Sequence, residues 1–242
     1  HGEGIVMRLL DKSRMAFNLA NAGMPDSIAK AFHKLIAMPH GIVLVTGPTG
    51  SGKTTTLYAS LQILNTTDRK LMTAEEPVEY QLPGINQTPI NSDIGLTFAS
   101  VLRAFLRQSP DIILVGEIRD FETADIALRA ALTGHLVFST LHTNDAPSAI
   151  TRLSDLGIPA FLVASSVQGV MAQRLVRVLC SYCKEKIEPD EHTRQVLDIK
   201  DGEEVNICRP RGCNECNFTG YKGRIGIFEI FVMNDHLRDL CL

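Results

Sequence analysis

The residues with the most explicit chemistry are Gly47-Pro48-Thr49-Gly50-Ser51-Gly52-Lys53-Thr54, which fit the pattern G-x-x-x-x-G-K-[ST]. Each part of that spacing has a physical role. Glycines let successive backbone N–H groups turn inward around phosphate oxygens. The amino end of a following helix adds partial positive charge. The Lys53 ammonium reaches the β- and γ-phosphates of a nucleotide, and the Thr54 hydroxyl is offered to Mg²⁺. Thr55 extends this set of candidate nucleotide contacts. The motif carries weight only between a strand and a helix. Both flanks comply: Ile42-Val43-Leu44-Val45-Thr46 is apolar and β-branched, and residues 54–61 can continue as a helix.

Hydrolysis needs more than a phosphate cradle. It needs a metal, a positioned water and neutralised charge. Glu117 follows the apolar run 112–115 and Gly116, as a Walker B acid would. It is placed to hold Mg²⁺ through water or to orient the attacking water; the plain alternative is a surface acid at a strand end. Glu79, with Glu76 nearby, is the other candidate general base, since paired carboxylates near a metal can divide the two roles. The alternative for Glu79 is an ordinary loop charge. His135 and His142 flank one expected strand. His142 leaves its carboxyl end and is a candidate hydrogen-bonding sensor of the γ-phosphate. His135, at the opposite end, reads first as a structural histidine. Arg103, Arg107, Arg119 and Arg129 are available for phosphate or subunit contacts, and each alone is a weak signal.

Four of the six cysteines form a second constellation. Cys180 and Cys183 make one C-x-x-C, Cys213 and Cys216 another, with 29 residues between the pairs. A C-x-x-C turn puts two thiolates on one edge of a tetrahedron, and two such turns close an S₄ site. A reduced, cytosolic setting is expected from the nucleotide motif, so the pairs read as zinc ligands rather than disulfides. No coordination position stays open, which makes the expected zinc structural. Gly212 and Gly220 supply the tight turns of the second knuckle. A redox dithiol is the competing reading.

The elements that must position these groups alternate. Helices are expected over residues 25–37, 54–61, 97–108 (capped by Thr97), 121–132 (capped by Asp120 and closed by Gly134), from the cap Asp145 to 156, and 159–171. Strands are expected over 42–46, 70–74, 112–117, 135–142, 174–179 and 224–232, with 86–95 as loop. Such alternation argues an α/β fold with a parallel-rich sheet. Ligands in these sheets bind beyond the carboxyl ends of the strands. Lys53, Glu79, Glu117 and His142 all follow strand ends, so one site can gather them. Residues 5–10 look like a strand that starts abruptly, with a linker after it. Together, residues 1–22 are expected to be the remnant of a preceding domain, and a chain beginning at His1 is expected to be a fragment.

The 242 residues are 45% hydrophobic and 21% charged, ordinary globular values that fit one large domain or a domain with attachments. A net charge of −3 disfavours a protein that coats nucleic acid. There is no run of 18 apolar residues, so no membrane-spanning helix is expected, and no signal peptide is visible.

Five stretches follow one another in an order that resembles a known family: residues 47–58, Glu76-Pro77-Val78-Glu79-Tyr80, Leu106-Arg107-Gln108-Ser109-Pro110-Asp111, Val115-Gly116-Glu117-Ile118-Arg119-Asp120, and 133–144. The chain closely resembles the type II secretion and type IV pilus assembly ATPases (the GspE and PilB class). The resemblance implies a RecA-like domain over residues 23–242, with a zinc-binding subdomain at about 180–223. It implies a cytoplasmic homohexamer, peripheral at the inner membrane. It implies ATP hydrolysis with Mg²⁺, and partners in an inner-membrane platform protein and a recruiting membrane protein. By the same resemblance Glu79 is the catalytic glutamate, Glu117 the Mg²⁺-associated acid, Lys53 the phosphate lysine, and His135 and His142 the His-box histidines. Glu76 stands where the family's Asp box usually opens with aspartate, which keeps the charge and adds a methylene. Arg8 falls in the end of the family's preceding arginine-supplying domain, and the carboxyl terminus is expected to stop short of the family's last helices. The tetracysteine segment implies the assembly branch rather than the retraction branch. Two other functions compete: a RecA-type nucleic-acid motor with a zinc ribbon, and a non-catalytic nucleotide-binding scaffold. The absence of an aromatic and basic stripe between Cys180 and Gly223 opposes the first. Lys53, Thr54, Glu79 and Glu117 oppose the second.

Overall fold

A computed structural model describes residues 2, 4, 5, 19, 23–200, 203 and 205–242. Of the strand expected at residues 5–10, all but Ile5 lies outside these residues, as does Arg8. The chain divides into two compact units, one formed by His1–Arg174 with Gly226–Leu242, the other by Leu175–Ile225.

In the first unit, α1 (Asp26–Ile36) leads into β1 (Gly41–Thr46), and α2 (Lys53–Leu64) into β2 (Leu71–Glu75). Then follow β3 (Asn86–Pro89), α3 (Phe98–Phe105), β4 (Ile112–Val115), α4 (Phe121–Leu132) and β5 (Leu136–Leu141). Next come α5 (Ser148–Asp155), α6 (Ala160–Ser166) and β6 (Val167–Leu179). Seven strands form one sheet in the order β3-β2-β4-β5-β1-β6-β9, where β9 is Tyr221–Val232, and α8 (Asp235–Cys241) follows it. Every neighbouring pair from β3 to β6 runs parallel. The expected α/β fold with a parallel-rich sheet is the fold found.

Alternation along the central strand explains the layers. Ile42 and Leu44 of β1 join the core cluster that α3, α4 and α6 cover, through Leu102, Leu128 and Leu162 among others. Val43 and Val45 join the opposite cluster, covered by α1 and α2 through Phe32, Leu35, Leu57 and Leu61. Because β1 is buried on both faces, its sequence reads as a continuous apolar run rather than an alternating one. From β1 the chain leaves over one face through α2, and it reaches β6, on the other side of β1, through α5 and α6. Adjacent strands whose connections depart over opposite faces leave a crevice at their carboxyl ends.

Several expectations need correction. The helix expected over 159–171 ends at Ser166, where Val167 turns extended at φ −72°, ψ 123°. From there the 13-residue strand β6 runs to Leu179 and absorbs the short strand expected at 174–179. The strand packs closely there: a Cβ on Gly169 would lie 2.6 Å from Leu35 Cδ1 and 2.9 Å from the Phe231 carbonyl oxygen. Residues 86–95 are not simply loop. Asn86–Pro89 pair with β2 as an edge strand, with Thr73 opposite Gln87. The helix expected to run to 108 is α only to Phe105, with a 3₁₀ turn to Gln108. The expected caps at Thr97 and Asp120 hold: Thr97 and Ser100 form a capping box, and Asp120 accepts the Thr123 N–H at 2.8 Å. The cap expected at Asp145 is displaced, since α5 is N-capped by Pro147, and Asp145 accepts the Ser148 N–H at 2.8 Å from two residues before it.

The second unit holds the tail of β6, the head of β9, the hairpin β7 (Glu185–Ile187) with β8 (Ile207–Arg209), and α7 (Glu191–Val196). β7 and β8 are antiparallel. Arg177 lies over the Tyr221 ring at 3.8 Å from its centroid.

Candidate functional site

The loop between β1 and α2 is held in shape by its glycines and by one glutamine. Gly47 has φ 141°, and a Cβ there would stand 2.2 Å from the Gln173 carbonyl oxygen, so no other residue fits. Gly52 has φ 90° and forms the N-cap of α2. The buried Gln173 side chain braces the loop from β6: it donates to the Ser51 carbonyl at 2.8 Å and accepts from the Thr56 hydroxyl at 2.9 Å. The Lys53 ammonium donates to the carbonyl oxygens of Gly47 (2.8 Å) and Pro48 (3.1 Å). Burial lowers its pKa, with Glu117 pulling the other way.

Hydroxyls stitch the neighbouring strand ends into register. Thr46 at the end of β1 donates to Leu141 O at 3.0 Å, and its oxygen accepts the Thr143 N–H at 2.9 Å. These contacts fix His142 between them. Thr140 donates to Gly116 O at 2.7 Å and Ser139 to Val115 O at 2.9 Å, which ties the end of β5 to the residue before Glu117. The result is a direct contact of His142 Nε2 with Glu117 Oε2 at 3.2 Å. Arg119 bridges two acids, 2.6 Å from Glu117 and 3.0 Å from Glu76. Burial works to raise the pKa of Glu117. The hydrogen bond and charge of Arg119, helped by His142, outweigh it and hold the carboxyl below the ordinary glutamate range.

Thr49, Gly50, Ser51, Gly52, Lys53, Thr54, Thr55, Glu79, Glu117 and His142 all line one cavity of about 430 Å³. Residues from four separate stretches of sequence thus meet there. Gly47 and Pro48 form the base of the loop and offer their carbonyls to Lys53. Glu76 also lines the cavity. His135 does not. Its Nδ1 lies 3.0 Å from Ala130 O near the end of α4, and it borders a different cavity with Arg69 and Asp111. A histidine at a helix carboxyl end complements the carbonyls there.

Sequence reasoning missed three contributors. Gln173 and Thr46 give no local signal, because their partners are over 90 residues away in sequence. Glu75 sits one residue before the acid that was singled out and is buried at 4% exposure. Its carboxylate accepts from Tyr58 of α2, from Thr73 (2.5 Å) and from Gln87 of β3 (3.1 Å). The signal available was the position of Glu75, the last residue of a buried strand.

The cavity fits a nucleoside triphosphate by the chemistry of its donors. A Cβ on Gly50 would meet nothing within 4 Å, so the backbone there is open to close approach. The Ser51 hydroxyl is the one buried side-chain polar atom without a partner among the described residues. The cysteine unit passes a similar test. The sulfurs of Cys180, Cys183, Cys213 and Cys216 all lie within 4.8 Å of one another. The closest pairs stand 3.8 to 3.9 Å apart, near the roughly 3.8 Å edge of a tetrahedron with zinc–sulfur bonds of about 2.3 Å. Gly212 (φ 106°) and Gly220 (φ 76°) make the turns, and a Cβ would strike Phe218 O at 2.8 Å in one and Pro210 Cβ at 2.4 Å in the other. Burial works to raise the Cys216 thiol, but the N–H groups of Cys213 and Gly220 outweigh it and lower it, while burial and the Cys183 sulfur push the neighbouring Cys213 thiol up to about 11.

Fold and site together define a P-loop α/β protein with its phosphate loop at the sheet's topological switch point. The chain belongs to the Type II/IV secretion system protein family, whose description matches residues 1–242. Among its relatives, the type II secretion system ATPase E of Vibrio cholerae is 54% identical over 240 residues, which is 99% of this chain and 48% of that protein. The type II secretion system protein HxcR of Pseudomonas aeruginosa is 55% identical, with the same coverage. The chain therefore spans about half the length of the curated relatives it matches. Among solved structures, the pilus retraction motor PilT with bound ADP superposes with a TM-score of 0.67 at 33% identity, covering 93% of this chain and 55% of PilT. The Legionella pneumophila ATPase DotB gives 0.64 at 28% identity, covering 92% and 52%.

Proposed function

We propose that this chain is the ATP-hydrolysing part of a motor that powers type II protein secretion or type IV pilus assembly. The observation that carries the reading is the convergence of Lys53, Glu79, Glu117 and His142 on one cavity beside the phosphate loop. The names of the related ATPases support the same reading. They speak against a nucleic-acid motor.

In this reading the loop N–H groups and Lys53 hold the β- and γ-phosphates. Glu79 accepts a proton from the attacking water as its oxygen bonds to the γ-phosphorus and the bond to the β-phosphate oxygen breaks. His142, held on Glu117, donates to a γ-phosphate oxygen. Thr54 and Glu117 are the residues that would hold Mg²⁺, which when bound neutralises phosphate charge. Cys180, Cys183, Cys213 and Cys216 would hold a structural zinc. Residues 23–242 are assigned to the ATPase domain, with the zinc subdomain at about 180–223 and residues 1–22 to a preceding domain. The assembly is a homohexamer on the cytoplasmic side of the inner membrane, acting on a platform protein and recruited by a membrane protein. Among the described residues no helix is long and apolar enough to cross a membrane.

The test uses the full-length protein. Lys53→Ala is expected to abolish ATP turnover with the fold intact by circular dichroism. Unchanged turnover would sink the assignment.

A further inference from the structure

The reading above gives Glu79 its task and leaves open what holds it there. Glu79 lies on the loop over residues 76–85, which leaves the end of β2 and returns to the edge strand β3. That strand reads Asn-Gln-Thr-Pro and is half-exposed, so apolar burial does not explain why it is ordered. Its register supplies the reason: Gln87 stands opposite Thr73, next to the buried Glu75.

The Gln87 carboxamide uses both of its ends. Its Oε1 accepts the Leu82 N–H at 2.7 Å, and its Nε2 donates to the Tyr80 carbonyl at 3.0 Å. The same Nε2 reaches Glu75 Oε1 at 3.1 Å and the Tyr58 phenol at 3.5 Å. One side chain therefore grips the loop on the carboxyl side of Glu79, at Tyr80 and Leu82. It fastens that grip to a buried carboxylate on β2 and to the helix that begins at Lys53. Tyr58 adds to the clamp. Its ring meets Tyr80 edge-on at 6.5 Å. Burial, then the hydrogen bond to Glu75, keeps that phenol protonated.

We propose that Gln87 is a positioning residue for Glu79, fixing the 76–85 loop so that the carboxylate faces the phosphate cavity. The chemistry is specific to an amide. A carboxamide offers one acceptor for an N–H and donors for a carbonyl and a carboxylate, and asparagine, with a stem shorter by one carbon–carbon bond of about 1.5 Å, withdraws it from these partners. A glutamate would set a second carboxylate against Glu75. A misplacement of about 1 Å at a catalytic group costs on the order of a hundredfold in rate. The hydrogen bonds of Gln87 go to Tyr58, Glu75, Tyr80 and Leu82 and to none of residues 47–55, so nucleotide binding is expected to be independent of this clamp.

The inference rests on Glu79 being the general base, and the experiment separates the two claims. In the full-length protein, Gln87→Met is expected to lower kcat by roughly tenfold or more. The dissociation constant of a fluorescent ATP analogue should stay within about twofold. Single-turnover hydrolysis should show that Gln87→Met combined with Glu79→Gln is no slower than Glu79→Gln alone, as residues acting as one unit behave. Hydrogen exchange should quicken in the peptide over 76–85 and stay unchanged over 47–56. If Gln87→Met is recovered unfolded, Gln87→Asn, on a stem one methylene shorter, carries the same comparison. Wild-type kcat in the Gln87 variant, or multiplied losses in the double variant, would overturn the positioning role while Glu79→Gln remains inactive. Wild-type turnover in Glu79→Gln would overturn both claims.

Discussion

Glu117 shows how much one acid does when its neighbours are arranged around it. Arg119 and His142 hold its carboxyl ionised against the desolvation that works to protonate it. Removing Arg119 takes away the larger of those two pulls, so the carboxyl pKa rises. In the Arg119→Ala protein the acid limb of the pH–rate profile should therefore move to higher pH, measured as kcat/KM in the full-length enzyme; an unmoved limb would show that Glu117 does not set it. Glu117→Gln should keep nucleotide affinity by titration and lose hydrolysis. If affinity falls equally, the hold of Glu117 on Mg²⁺ serves nucleotide binding itself rather than the hydrolytic step. The residues with local signatures were legible in the sequence: Lys53 in its glycine frame, Glu117 at the end of an apolar strand, and His142 at a polar strand exit. Gln173, Thr46 and Gln87 were not. An unremarkable glutamine becomes a brace only when a strand distant in sequence is laid beside it.

At the scale of elements, the loop geometry makes a sharper demand than its sequence pattern states. Gly47→Ala should weaken both nucleotide affinity and thermal stability, because the new Cβ meets a backbone carbonyl and not a yielding side chain. Ordinary behaviour in a melt and a nucleotide titration would refute that. The cap at Asp120 belongs to a different class of effect. Asp120→Ala should lower stability by about 1 kcal/mol, read from chemical denaturation, with no change in nucleotide affinity. Helices and buried strands were readable wherever burial imposed a period: the caps at Thr97 and Asp120 and the apolar run of β1 all stand as expected. The reading failed at β6 for a physical reason. Val167 to Met171 is apolar but for Gln168 and follows a helix directly, and a short, mostly apolar run has no period that separates helix from strand. It failed at β3 because an edge strand held by side-chain hydrogen bonds has no apolar face to betray it.

For the whole molecule, the unit Leu175–Ile225 depends on its four cysteines more than on a core. Of its described residues, Cys180 and Cys216 are among the buried ones, while Val176, Val178, Tyr182, Val196 and Phe218 stay exposed. A structural zinc contributes folding free energy on the order of 10 kcal/mol. Metal analysis of the purified protein should find about one zinc per chain. Chelation, or Cys183→Ser, should speed hydrogen exchange across residues 175–225. A zinc-free protein with slow exchange there would defeat the assignment. The spacing of the two C-x-x-C pairs made this unit's chemistry legible, while its hairpin and α7 had no apolar pattern to announce them. One feature of the sheet bears on how copies of the chain can meet. The seven strands end at β3, which has four residues and closes on Pro89, a residue with no N–H to offer a neighbour. An edge so short and so poor in donors discourages another polypeptide from adding a strand there. On that side, crowded copies are protected from fusing their sheets into aggregates, and any orderly contact must be made by side chains.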